Sequence, residues 1–316
     1  MTDTFIENGK ELHLDMKAML EARASAGPTN TIEEQRAAWT RYSQALSKPH
    51  PDDMQVDDRA LTCSHGNVVV RVYRPAKASA KAPCVIYSHG GGFMKGDLDS
   101  SDNFAWGLAQ ELDAVVVSVD YRLAPEHPFP AAFDDVYGVL SYVADHPGEF
   151  GIDVQRIAVC GDSAGGNLSA AVSLAARDRA GPKIIAQSLI YPGTGLDQSG
   201  GSYEENAEAP GLSRAATQKY REMYMPRAAD LENPYARPVI APSHAGLPPA
   251  YVHTAQHDPI RDDGEVYANK LRDAGVDVTY RCAAYMIHGF LRARAIGDGG
   301  RAEFTAIVEW LREKMQ

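Results

Sequence analysis

The stretch R-I-A-V-C-G-D-S-A-G-G at residues 156–166 decides how this chain is read. Its first half, 156–160, is a short apolar run that reads as a strand, and the alanine-rich segment 164–178 reads as a helix. Between them stands G-x-S-x-G, which fits a tight strand-to-helix turn. A side chain at Gly161 or Gly165 would crowd such a turn, and Ser163 is pushed out above the C-terminal end of the strand. The helix start behind Ser163 offers free N–H groups and a positive dipole end. The pentapeptide alone is a modest signal; its place between a strand and a helix gives it weight.

Working outward, strands and helices alternate. Residues 56–62 and 67–74 flank a His65-Gly66 turn and read as a hairpin. Further strands are expected at 83–88, 114–120, 156–160, 184–190, 250–254 and 276–282, and helices at 102–112, 131–145, 164–178, 263–274 and 301–314. The central strands are near-continuous apolar runs, as both-face burial requires. The alternation predicts an α/β fold with a mostly parallel sheet and right-handed crossovers. Two regions depart from it. The first 50 residues read as helices, one over 11–23 with Leu12, Met16, Met19 and Leu20 on one face. A second opens at Thr31 with a Thr31–Glu34 capping box and runs to about Leu46. Residues 193–245 are rich in Gly, Pro, Glu and Ala, with a helix near 214–225, and read as containing an inserted element rather than a connection. The expected organisation is therefore cap helices at 1–50, a core of 51–192 and 236–316, and an inserted cap segment at 193–235.

Three other stretches follow expected strands. H-G-G-G-F at 89–93 lets the backbone approach a ligand and turn its N–H groups inward, as an oxyanion hole requires. The competing readings are a phosphate cradle, which lacks its motif, and a plain flexible loop. D-P-I-R-D-D-G at 258–264 and H-G-F at 288–290 are weak alone, since a lone His after a strand is more often structural. Together with Ser163 they place four candidates at strand C-terminal ends, where open α/β sheets bind ligands. The order Ser163, Asp258, His288 is that of the α/β-hydrolase arrangement. A serine hydroxyl needs a base in reach, and the base needs a carboxylate to fix its tautomer. Asp258 is preferred to Asp262 and Asp263, which fall at the start of the next helix and suit its dipole; Asp162 reads as a turn-stabilising residue.

Composition bounds the rest. The 316 residues are 44% hydrophobic and 23% charged, ordinary for a globular chain, and a net charge of −11 disfavours nucleic acid and anionic membrane surfaces. Cys63, Cys84, Cys160 and Cys282 form no C-x-x-C, so neither a zinc site nor a disulfide framework is expected and the thiols read as reduced. Met1 to Lys10 lacks the apolar core of a signal peptide, and no run is long enough to span a membrane. A cytoplasmic protein without metal or cofactor is expected.

The motifs at 89–93, 121–130 (Y-R-L-A-P-E-H-P-F-P), 161–166, 258–264 and 288–290 together resemble those of the bacterial hormone-sensitive-lipase-like carboxylesterases, on the α/β-hydrolase fold. The resemblance implies Ser163 as nucleophile, His288 as base, Asp258 as its orienting acid, and an oxyanion hole of the Gly91, Gly92 and Ala164 N–H groups. His89 would support the glycine loop. It implies hydrolysis of short- to medium-chain acyl esters through an acyl-enzyme, with no cofactor, and a homodimer through an edge strand near 276–282. Met94, Tyr191, Tyr203, Leu212 and Phe290 are candidate pocket walls, with a core role open for each. Alternatives are an amidase or acyltransferase using the same triad, or a small-ligand receptor of the same fold, a class in which the catalytic His is lost; here His288 is present.

Overall fold

The computed structural model describes residues 3–316; Met1 and Thr2, part of the segment read for a signal peptide, lie outside the described residues. The chain begins with β1 (Thr4–Glu7), β2 (Lys10–His13), α1 (Leu14–Ala24) and α2 (Ile32–Ala45). It continues through β3 (Gln55–Cys63), β4 (Gly66–Arg74), β5 (Ala82–Ser88), α3 (Leu98–Leu112), β6 (Val115–Asp120), α4 (Ala131–Asp145), α5 (Pro147–Phe150), β7 (Ile152–Asp162), α6 (Ala164–Asp178) and β8 (Ala186–Ile190). After α7 (Ser202–Glu205) and α8 (Arg214–Tyr224) come β9 (Ala250–His257), α9 (Arg261–Asp273), β10 (Val278–Ile287) and α10 (Asp298–Lys314).

Eight strands form one sheet in the order β10-β9-β8-β7-β5-β6-β4-β3. From β10 to β6 every neighbouring pair is parallel, and the β3–β4 hairpin joins antiparallel at the β6 side. This is the α/β-hydrolase architecture expected from the alternation. The apolar run of β5 shows why it sits in the middle. Cys84 and Ile86 join the core under α4 and α6 with Val136, Leu140 and Leu168, while Val85 and Tyr87 face the opposite core with Phe104, Leu108 and Phe304. A period of two splits one apolar run between two cores, and each large side chain so buried contributes about 1.5–3 kcal/mol.

The strand ends position the site. β5 stops at Ser88, β7 at Asp162, β9 at His257 and β10 at Ile287, all on the same C-terminal side of the parallel sheet. His89, Ser163, Asp258 and His288 are the next residues in each case.

Two sequence expectations need correction. The helix placed over 11–23 starts at Leu14, because residues 4–13 form the β1–β2 hairpin. Its turn is Asn8-Gly9, both with positive φ (49° and 73°), and Leu12 is buried from a strand rather than a helix. β10 runs five residues beyond the expected end at 282. Its pairing with β9 shifts register between Ala283 and Ile287, Tyr285 takes φ 60°, and the Gln256 side chain accepts the Tyr285 N–H at 2.8 Å. A bulge of this kind breaks the alternation that marks a strand. Among the described residues no helix is long and apolar enough to cross a membrane.

Candidate active site

Ser163 sits at φ 56°, ψ −113°, between the last residue of β7 and the first of α6. Its N–H is held by the Ile190 carbonyl at 2.8 Å. The flanking glycines are required by space. A Cβ at Gly161 would collide with the Gly165 carbonyl, and one at Gly165 with the Ser88 carbonyl of β5. The turn thus presses α6 onto the sheet and lifts the serine side chain off it.

Three side chains from three strand ends form one hydrogen-bonded line. His288 Nε2 lies 2.8 Å from Ser163 Oγ, and His288 Nδ1 lies 2.7 Å from Asp258 Oδ2. A carboxylate only accepts, so Nδ1 carries the proton and Nε2 presents its lone pair to the Ser163 hydroxyl. Asp258 is fully buried and its second oxygen accepts the Ile260 N–H at 3.0 Å. The Asp258 carbonyl accepts from Arg261 N–H (3.1 Å) and Asn206 Nδ2 (3.3 Å), which fixes the backbone behind the acid. Asp262 and Asp263 lie in the first turn of α9. Both also tie down the 193–235 segment. Asp262 accepts the Ser202 N–H at 2.8 Å; Asp263 accepts the Gly195 and Leu196 N–H groups at 2.9 and 3.1 Å and the Tyr203 hydroxyl at 2.7 Å.

The glycine loop packs against this line. Asp162 Oδ1 accepts the Gly90 N–H at 2.8 Å and the Tyr87 hydroxyl at 2.7 Å, and Tyr191 reaches Oδ2 at 3.5 Å. Asp162, beside Ser163, therefore clamps the loop, a role its position in the sequence does not reveal. The Gly91 carbonyl accepts the Met94 and Lys95 N–H groups at 3.2 and 3.0 Å, curling the loop back on itself. Gly92 has φ 64°, and a Cβ there would strike the Tyr220 ring of α8. The N–H groups of Gly91, Gly92 and Ala164 have no acceptor among the described residues. His89 is buried, stacks on Tyr121 at 4.2 Å, and donates from Nδ1 to the Gly90 carbonyl at 3.0 Å; burial lowers its pKa and keeps it neutral.

A cavity of about 90 Å³ opens beside Ser163, walled by Leu196, Tyr203, Leu212, Tyr220, Met225 and Ile260. Tyr203 and Leu212 are thus pocket walls. Tyr191 is buried at 4.7 Å from the His288 ring and lines a second, narrower passage next to Ser163. Met94 and Phe290 line neither, a correction to the expectation for both. Met94 is fully buried, its carbonyl bound by Arg36 of α2 at 2.9 Å. Phe290 follows Gly289, whose φ of 86° turns the chain inward, and it packs edge-on against Tyr191 and His253. Asp263 stands at the cavity floor, where burial outweighs its three donors and pushes its pKa up to about 6.

Asn167 was not singled out by sequence reading. Its buried Nδ2 donates to the Gly193 and Ala236 carbonyls at 2.7 and 3.1 Å, fastening both ends of the 193–235 segment to α6. No group of three or more His, Cys, Asp or Glu side chains that could hold a metal occurs among the described residues.

Comparison with known proteins adds the lineage. A family profile described as the alpha/beta hydrolase fold matches residues 85–292. The chain belongs to this α/β-hydrolase family. Esterase LipI of Mycobacterium tuberculosis is 46% identical over 246 residues, 77% of this chain and 76% of that protein. Carboxylesterase NlhH of the same organism is 45% identical over 228 residues, 71% and 72% of the two chains. Among solved structures, the hyperthermophilic esterase from Pyrobaculum calidifontis superimposes with a TM-score of 0.87 at 36% identity, covering 95% of this chain and 97% of that one. The resemblance to hormone-sensitive-lipase-like carboxylesterases carried by residues 89–290 agrees with that membership.

Proposed function

We propose that the protein is a serine carboxylesterase that hydrolyses short- to medium-chain acyl esters through an acyl-enzyme. The observation that carries the reading is the Ser163–His288–Asp258 line, with spacings of 2.8 and 2.7 Å, at the mouth of an apolar cavity. Ser163 Oγ attacks the ester carbonyl carbon as its proton moves to His288 Nε2, and the imidazolium is stabilised by Asp258. The carbonyl oxygen becomes an oxyanion facing the N–H groups of Gly91, Gly92 and Ala164, each such donor lowering the barrier by about 3 kcal/mol. Collapse breaks the ester C–O bond, and His288 returns the proton to the departing alkoxide. Water then loses a proton to His288 and attacks the acyl carbon. Ser163 recovers its proton as the acid leaves.

The cap reading belongs to the same proposal. Residues 1–50 and 193–235 would cover the mouth of a core made of 51–192 and 236–316. Its support is that α2 grips the glycine loop through Arg36, while Phe93 of that loop stacks on Tyr224 of α8. A cytoplasmic setting fits four free cysteines. A homodimer would form through β10, one of the two edge strands of the sheet; a monomer in sedimentation at micromolar concentration would refute that part alone.

The test is turnover of p-nitrophenyl esters from acetate to palmitate by the wild type and Ser163→Ala. Activity on the short and middle esters that vanishes in the variant is expected. Full activity in the variant would overturn the mechanism, and preference for palmitate would overturn the chain-length assignment.

A further inference from the structure

Ser163 stands where two cavities meet, and they differ in chemistry. The larger one is mostly apolar, with Arg221 and Asp263 as its charged lining. The second, a narrow passage of about 30 Å³, shares Gly92, Ser163, Leu212 and Tyr220 with it but is lined by Arg23, Lys95 and Arg292 as well. It opens outward into a groove under α2 and α8 that adds Lys219 and no acidic side chain. Four cations gathered here run against the grain of a chain whose net charge is −11.

These cations lack carboxylate partners. No Asp or Glu oxygen lies within 4.0 Å of the Arg23, Lys95 or Arg292 nitrogens among the described residues. Lys95 is only 8% exposed; its Nζ donates to the Tyr220 hydroxyl at 2.8 Å and lies over the Trp39 and Tyr220 rings at 4.8 and 5.0 Å. Arg292 lies over the same Trp39 ring at 4.3 Å and donates to Ser43 Oγ and the Ser100 carbonyl. Arg23 donates to the Gly211 carbonyl. Two cations over one indole repel each other, and neutral partners leave that repulsion in place. The acid that shares this passage, Asp162, already accepts from Gly90, Tyr87 and Tyr191. The passage is therefore short of negative charge.

Its place relative to the base decides which half of a substrate enters it. His288 lines the second passage and not the apolar cavity. The proton from His288 Nε2 must reach the leaving oxygen, so the alcohol half lies on the His288 side and the acyl half in the apolar cavity. We propose that the preferred substrate is an apolar acyl ester of an alcohol that itself bears a carboxylate. Arg23, Lys95 and Arg292 receive that carboxylate, and the guanidinium forks suit its geometry. This rests on the esterase reading above and specifies the substrate of the same site.

The experiment compares p-nitrophenyl butanoate with its ring-carboxylated analogue, 3-carboxy-4-nitrophenyl butanoate, each kcat/KM divided by the ester's own hydroxide-catalysed rate. The wild type should favour the carboxylated ester about tenfold or more, and added salt should erode that preference. In Arg23→Gln, at an exposed position, and in Lys95→Met the preference should fall towards parity, mainly through KM of the carboxylated ester. Parity in the wild type, or a preference that survives both substitutions, overturns the inference while leaving esterase activity standing. Failure to cleave either ester overturns the esterase reading and this inference with it.

Discussion

Ser163 occupies a backbone conformation that L-residues avoid, at a cost of about 1–3 kcal/mol. The strain is held by the Ile190 carbonyl on its N–H and by glycines that let α6 press against β5. Asp258 acts through His288, so Asp258→Asn should keep the fold and leave imidazole in the wrong tautomer. A fall in kcat of about 10⁴-fold in steady-state assays is expected. Asp263 gives a second prediction, with its sign set by burial. Its folded pKa of about 6 lies above the ordinary 3.8, so its contribution to stability is full below 3.8 and is lost as pH rises to about 6. In Asp263→Asn the amide oxygen can still accept from Gly195 and Leu196 while the Tyr203 hydroxyl accepts from Nδ2. The Tm of this variant relative to wild type should therefore rise between about pH 4 and about pH 7. A constant difference across that range would contradict the assignment.

At the scale of elements, β9, β10 and α10 are joined by one cluster, buried at His253 and Glu303 and open to solvent at Arg281. His253 of β9 donates from Nε2 to Glu303 Oε2 at 2.8 Å, and Arg281 of β10 grips the same carboxylate with Nε and Nη2 at 2.5 and 2.8 Å. Burial would raise the Glu303 pKa, but the Arg281 and His253 hydrogen bonds outweigh it and hold it near about 2. The sign is opposite to that of Asp263: this stability is present above 4.5 and is lost as pH falls towards 2. Wild type should thus lose its Tm advantage over Glu303→Gln as pH drops from about 5 to about 3, and an advantage that widened there would refute the pairing. Elements also show what sequence could carry. The α4 and α6 ranges were legible to the residue, because long apolar periodicity and a glycine turn bound them. The β1–β2 hairpin was not: four-residue strands are too short for a pattern, and Leu12 and Met16 fall four apart, as on a helix. The end of β10 was hidden by its bulge.

For the whole molecule, the order of four strand ends was enough to bring distant motifs to one side of the sheet, because parallel strands share a direction. The surroundings of the site were less legible. Which apolar side chains face the cavity depends on how 193–235 folds back over α9, and the Asp262, Asp263 and Asn167 contacts that fix it span 26 to 69 residues of chain without any local pattern. Met94 and Phe290 are placed instead by Arg36 on the Met94 carbonyl and by the positive-φ turn at Gly289. On the N-terminal side, α2 meets the rest of the chain through Arg36, through Thr40 on Asp97 and through Arg292 on Ser43. Arg36 pairs with Glu126 at 2.7 Å and also holds the Met94 and Ala124 carbonyls. Arg36→Ala should loosen α2 over the glycine loop, seen as faster proteolytic cleavage before residue 50 and a severalfold higher KM, with the core Tm little changed. Equal protease resistance would show that α2 is held without Arg36.

Acyl transfer at this site requires an activated Ser163. Intact-mass and peptide-mapping spectrometry after exposure to a fluorophosphonate measures that directly. One adduct per chain is expected, on the peptide carrying Ser163, absent in Ser163→Ala and slowed in Asp258→Asn. A folded wild-type protein that stays unlabelled, or an adduct that persists in Ser163→Ala, would contradict it.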